Sequence, residues 1–125
     1  MDGCRSKLVN VVSGVPQGSV LGQQLFLLCT AEIFSIVENK LFGNADDSIL
    51  VAVVSSPGER EAVSESMNRD LNKVSVWCYL WGMKLNASKT KDMIVSRSRT
   101  VYPQLTPLTL DGSVLKESAN HVILG

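Results

Sequence analysis

The sequence holds a single histidine, His121, among 125 residues. That scarcity argues against a histidine-based zinc site and against a His-based nucleophilic triad. Cysteine is also sparse: Cys4, Cys29 and Cys78 are odd in number and lack metal-ligand spacing. Cys29 and Cys78 fall in apolar surroundings and are expected to be core thiols in a reducing compartment. No secretory leader is legible, so the expected location is inside the cell, nuclear or cytoplasmic, and not secreted. The sequon Asn86-Ala87-Ser88 is accordingly expected to stay unmodified. Long hydrophobic runs are missing. The longest apolar stretch, Leu25 to Val37, is interrupted by Glu32 and too short to span a bilayer, so no membrane is expected as a partner. Repeats, low-complexity segments and a domain linker are absent too.

Net charge is also lacking: 12 basic residues balance 12 acidic ones, which is not the footprint of a basic nucleic-acid binder. The distribution says more than the sum. Residues 32–70 carry eight acids against three bases, and residues 71–125 carry seven bases against three acids. The basic cluster of Lys84, Lys89, Lys91, Arg97 and Arg99 could follow a phosphate backbone, and a solvated surface explains it as well. With 45% hydrophobic residues, a chain of this length is expected to fold as one domain with a modest core.

The most informative residues present are Asp46 and Asp47, in Asn44-Ala45-Asp46-Asp47-Ser48. Leu41-Phe42 before them and Ile49 to Val54 after them read as the two strands of a β-hairpin without an Asn-Gly or Asp-Gly turn. A hairpin end would present both carboxylates together, and adjacent carboxylates are relieved by a hard divalent cation such as Mg²⁺. An ordinary acidic turn is the alternative. Upstream, Ser13-Gly14-Val15-Pro16-Gln17-Gly18-Ser19-Val20-Leu21-Gly22 has too much glycine and proline for a helix or a strand. It reads as a loop whose free N–H groups could receive a phosphate or a base edge, or as a tight connection with no ligand. It is not a Walker loop, because no Gly-Lys-Ser/Thr follows.

Between and after these motifs, Leu8 to Val12 reads as a strand, and a helix is expected from about Gly22 to Asn39. Its core residues would be Leu25, Leu28, Ile33, Ile36 and Val37. Ser56-Pro57-Gly58-Glu59 signals a second helix start. Val63, Met67, Leu71, Val74 and Cys78 form its buried stripe, opposite Glu61, Glu65, Asn68 and Asn72, and Gly82 stops it. Asp92 to Ser96 is expected as a strand, and Leu108-Thr109-Leu110 with Ser113-Val114-Leu115 as a hairpin around Asp111-Gly112.

Four ordered motifs resemble a known family. Gly14-Val15-Pro16-Gln17-Gly18-Ser19-Val20-Leu21-Gly22, then Leu25-Phe26-Leu27-Leu28, then Ala45-Asp46-Asp47 resemble a reverse transcriptase. More narrowly, they are similar to the RNA-directed DNA polymerase of non-LTR, LINE-like retrotransposons. Trp81-Gly82-Met83-Lys84-Leu85-Asn86-Ala87-Ser88-Lys89-Thr90 resembles the next palm motif. His121-Val122-Ile123-Leu124-Gly125 resembles the start of the primer grip. The resemblance runs from about Val9 to the last residue.

It implies an α+β fold: a partial polymerase palm over residues 1–125, an antiparallel sheet with helices packed on one face, without fingers or thumb. It also implies two-metal nucleotidyl transfer with Mg²⁺ (or Mn²⁺), on an RNA template, a DNA primer and dNTPs. Asp46 would be the principal metal ligand and Asp47 a second, supporting carboxylate. Pro16, Gln17 and Gly18 would line the template and nucleotide pocket. Lys89 matches the palm lysine that donates a proton to the leaving pyrophosphate, with an ordinary surface lysine as the alternative. Ile123, Leu124 and Gly125 would touch the primer end.

Departures from the pattern temper the expected activity. The third carboxylate that the family places upstream of the glycine loop has no counterpart in Met1 to Asn10, where Asp2 lacks the surrounding pattern. Asn44 stands where the family has Tyr or Phe, Gln23 replaces a proline, and Ala31-Glu32 replaces Asn-Asp. The isolated chain is therefore expected to be inactive, as a fragment of the enzyme. The alternative is a non-catalytic nucleic-acid-binding or decayed remnant of the same domain.

Overall fold

The structure, a computed structural model, describes residues 10, 14, 18–44, 47–95 and 106–118. The expected strand at Leu8 to Val12 lies outside them, apart from Asn10.

Ser19 opens the first helix. Its backbone is extended (φ −86°, ψ 135°), and its Oγ accepts the Gly22 N–H at 2.8 Å, satisfying a free donor at the start of α1, Val20–Ala31. The glycine loop thus ends at Ser19, and Gly22 is buried in the first helical turn. The single helix expected to reach Asn39 is broken at Glu32, and a short α2, Ile33–Ile36, follows. The Thr30 hydroxyl donates to the Phe26 carbonyl at 2.9 Å, and Ser35 Oγ donates to the Glu32 carbonyl at 2.7 Å. Side-chain bonds of this kind compete with the helical ladder. Leu25 and Leu28 do not join the core: they are 51% and 72% exposed, because the short α2 is the main neighbour of α1 among the described residues. Cys29 is exposed with them, whereas Cys78 is a buried thiol as expected.

The expected hairpin forms, although its second strand ends at Val51 rather than Val54, and Val53 and Val54 are exposed beyond it. Strand β1, Lys40–Asn44, pairs antiparallel with β2, Asp47–Val51, in a register running from Lys40↔Val51 to Asn44↔Asp47. On β1, a Cβ at Gly43 would stand 2.8 Å from the Phe34 ring, so the ring of α2 lies directly over a position only glycine can leave open.

After the hairpin, Pro57–Glu59 forms a 3-10 turn leading into α3, Arg60–Leu80. The start signal works through a different bond from the one expected. The Ser56 side chain makes no cap, and Glu59 Oε2 instead accepts the Ser55 N–H at 3.2 Å. Gly82 (φ +68°) ends the helix: its N–H donates to the Tyr79 carbonyl and the Met83 N–H to the Cys78 carbonyl, a Schellman closure. Met83 folds back onto the core cluster of Ile33, Trp77 and Cys78, joined by Ile36, Leu41, Val74 and Leu85. A second cluster, Leu108, Leu110 and Leu115, packs with Met67, Leu71, Leu85 and Ala87. The apolar stripe of α3 therefore serves both clusters.

The mixed α+β class holds, but the single antiparallel sheet does not form among the described residues. Three separate two-stranded pairs occur instead. Of the strand expected at Asp92 to Ser96, only β3, Lys91–Asp92, forms, and Met93, Ile94 and Val95 are exposed outside it. The chain closes with β4 (Thr109–Leu110), β5 (Ser113–Val114) and β6 (Lys116–Glu117). β6 runs parallel to β3, a pairing between distant segments fastened by the Ser118 N–H to the Asp92 carbonyl at 2.7 Å. β4 and β5 make the expected Asp-Gly hairpin, with positive φ at both Asp111 (49°) and Gly112 (75°), the signature of a type I′ turn.

Candidate functional site

The β1–β2 hairpin positions the acidic pair. With Asn44 opposite Asp47, the connection is two residues long, Ala45 and Asp46, and both lie outside the described residues. Asp47 opens β2 and is exposed, with no ion pair to any described residue. Among the described residues no three His, Cys, Asp or Glu side chains stand close enough to hold a metal together.

The other expected site residues are only partly described. Gly18 has φ +80°, is exposed, and has open space where a Cβ would lie, whereas Pro16 and Gln17 lie outside the described residues. Lys89 is exposed in a turn organised by Asn86, whose Oδ1 accepts from Ser88 Oγ at 2.7 Å and from the Lys89 N–H at 3.2 Å. Ile123, Leu124 and Gly125 lie outside the described residues. No hydrogen bond or ion pair joins Gly18, Asp47 and Lys89 to one another. In the basic cluster, Lys84, Lys89 and Lys91 are exposed.

Sequence reasoning missed Asp70. It is 0% exposed, the most deeply buried side chain among the described residues, and it faces the chain just before β1. Its Oδ1 accepts the Glu38 N–H at 2.9 Å, and its Oδ2 accepts both the Asn39 N–H and Asn39 Nδ2 at 2.8 Å. Asn39 Nδ2 also donates to Ser66 Oγ at 2.9 Å, and Lys73 Nζ reaches Asp70 at 3.5 Å. Burial by itself pushes the Asp70 carboxyl up, but the Glu38 and Asn39 N–H groups, the Asn39 amide and Lys73 together hold it below its ordinary value. On the surface beside it, Glu38 pairs with Lys73 at 2.9 Å and with Arg69 at 3.4 Å. The Lys73 hydrogen bond lowers the Glu38 carboxyl, and Glu38 in turn raises Lys73. One more acid braces the neighbouring core: Glu32 Oε2 accepts the Trp77 indole N–H at 3.2 Å. A signal for Asp70 was available, since it falls between Met67 and Val74 at helical spacing, where an acid has no place unless it is paired.

The family described as reverse transcriptase (RNA-dependent DNA polymerase) matches residues 1–115. The RNA-directed DNA polymerase from mobile element jockey of Drosophila funebris is 28% identical over 131 residues, which cover 99% of this chain and 14% of that protein. The probable RNA-directed DNA polymerase from transposon BS of Drosophila melanogaster is 28% identical over 121 residues, 90% of this chain and 13% of that protein. The chain thus spans about a seventh of the length of these curated relatives. No solved structure matches it. With the family matched along most of its length, this chain belongs to the reverse transcriptases, and its mobile-element relatives support the LINE-like, non-LTR branch.

Proposed function

We propose that residues 1–125 are one partial polymerase palm, the part of a retrotransposon reverse transcriptase that carries catalytic carboxylates for RNA-directed DNA synthesis. The observation that carries this reading is the β1–β2 register, which leaves two residues between Asn44 and Asp47, together with an exposed Asp47 carboxylate that has no ion pair to any described residue. Hard carboxylate oxygens in such a pair suit Mg²⁺ or Mn²⁺, with Asp46 as the principal ligand and Asp47 as its support. When bound, two such ions stabilise the attacking and leaving oxygens of nucleotidyl transfer.

The partners in the intact protein are an RNA template, a DNA primer and dNTPs. Pro16, Gln17 and Gly18 line the template and nucleotide pocket, and the open space at Gly18 lets a nucleotide approach the backbone. Lys89, exposed on its turn, donates a proton to the leaving pyrophosphate. Ile123, Leu124 and Gly125 contact the primer end.

Among the described residues no further carboxylate joins Asp47 to complete a metal site, and templated primer extension by the purified chain is expected to give no product. Extension that disappears in Asp46→Ala would overturn that expectation. Mn²⁺ is expected to broaden the amide resonances of the β1–β2 hairpin, and the broadening should vanish in Asp46→Ala. Absence of broadening in the unaltered chain would sink the metal reading. The exposed Lys84, Lys89 and Lys91 favour a second reading, a non-catalytic binding remnant. That reading requires salt-dependent binding of an RNA–DNA hybrid that is indifferent to Mg²⁺.

A further inference from the structure

We infer that Asp70 is a positioning residue for the acidic pair: a buried carboxylate on α3 that fixes where β1 begins, and through the β1–β2 ladder where Asp47 is presented. The role rests on the metal reading of Asp46 and Asp47 given above. The chain of contacts is short. Asp70 grips the backbone N–H groups of Glu38 and Asn39 and the Asn39 amide, and the next residue, Lys40, is the first of β1. β1 then holds β2 through five paired positions that end at Asn44↔Asp47. An error at the start of β1 is therefore carried to Asp47.

Two features mark this as more than general packing. First, the bonds are local and directional: both carboxylate oxygens are spent on two successive residues, so translation and rotation of the strand start are both restrained. Second, the hairpin has few other contacts among the described residues, chiefly the Phe34 ring over Gly43 and one core residue. Phe42 is 55% exposed, Ile49 37% and Val51 38%, and Leu41 is its contribution to the Ile33–Trp77–Cys78 core. A side chain that costs free energy to desolvate is retained where an apolar residue would fill the stripe, and its charge-assisted bonds to backbone N–H groups supply what packing does not. Asn at this position would keep one acceptor oxygen and turn an amide N–H₂ toward a backbone donor.

The test compares the unaltered 125-residue chain with Asp70→Asn and with Leu115→Ala, a core truncation in the second cluster, which packs on α3 through Met67 and Leu71 and does not include Leu41. Hydrogen exchange and backbone shifts are read at residues 38–51, and Mn²⁺ affinity is read from the broadening of hairpin amides. In Asp70→Asn, the Glu38 and Asn39 amides should exchange at least about tenfold faster, hairpin shifts should change through to Asp47, and Mn²⁺ should bind about tenfold more weakly. Leu115→Ala should leave hairpin shifts and Mn²⁺ affinity as they are in the folded chain. Hairpin shifts in Asp70→Asn equal to those of the unaltered chain would overturn the positioning role, and so would an equal loss of Mn²⁺ affinity in Leu115→Ala. If the unaltered chain binds no Mn²⁺, the metal reading fails by itself, and the shift and exchange comparison still decides whether Asp70 sets the hairpin.

Discussion

Two β-hairpins lean on α3, each tied to it by one polar side chain. Asn68 serves β4–β5: its Oδ1 accepts the Thr109 N–H at 2.9 Å and its Nδ2 donates to the Pro107 carbonyl at 3.1 Å. Asp70 serves β1–β2 with an ionised carboxylate in full burial. The rest of the two hairpins differs in kind. β4–β5 closes on itself, with a type I′ Asp-Gly turn, a Leu115 N–H to Leu108 carbonyl bond at 2.8 Å, and three buried leucines. β1–β2 exposes Phe42, Ile49 and Val51 and presents an acid at the start of its second strand. The first hairpin is held by what it buries. The β1–β2 hairpin is anchored just before β1 by Asp70 and along β1 by Leu41 and by the Phe34 ring over Gly43, while its exposed β2 presents charge, as the proposed function requires.

The sharpest way to break this comparison is to remove the two anchors. Asp70→Ala leaves the Glu38 and Asn39 donors buried without acceptors and is expected to cost about 3–4 kcal/mol, in urea unfolding followed by tryptophan fluorescence. Asn68→Ala, at a less buried neutral amide, is expected to cost about 1 kcal/mol in the same measurement. Equal costs would mean that the anchors are equivalent. Core truncation should invert the ranking of the hairpins. Leu110→Ala is expected to cost about 2–3 kcal/mol, whereas Ile49→Ala, already more than a third exposed, should stay below about 1 kcal/mol.

The mildest perturbation is acid. The folded Asp70 carboxyl lies below its ordinary value, so its contribution is complete above roughly pH 4 and is lost as pH falls through the lower folded value. Glu38, also held down, adds to the loss in the same window. The Tm of the unaltered chain should therefore fall more steeply below roughly pH 4 than that of Asp70→Asn. Parallel Tm curves would remove Asp70 from the acid response.

What could be read in the sequence was whatever is written locally. The Asp111-Gly112 turn, the stop at Gly82 and the stripe from Val63 to Cys78 depend on residues within a turn or two of each other, and all three form. The pair of strands around Asp46 and Asp47 was legible in the same way. Three features were not. The partners of Asp70 are one: its place on the apolar stripe marks it as a paired acid, but it answers to backbone N–H groups more than thirty positions upstream, and backbone donors have no letter in a sequence. The β3–β6 pairing joins two-residue strands with no periodicity to reveal it. The apolar residues of α1 promised burial, but a helix buries only what a neighbour covers, and Leu25 and Leu28 lack one among the described residues. The motif order pointed to the family, while the residue that sets the hairpin in place needed three dimensions.

The two-residue link between Asn44 and Asp47 also constrains how this stretch of gene can change length. Side chains alternate across a strand, so one codon added or deleted within Leu41 to Asn44, and not absorbed by the link, would turn the paired residues beyond it, Asp47 included, to the opposite face. A change of two codons would preserve the facing but move the acid along the strand by about 7 Å. Substitutions can accumulate through this hairpin while its length stays fixed, so among descendants of this sequence the distance from Leu41 to Leu50 should outlast the identity of most residues between them.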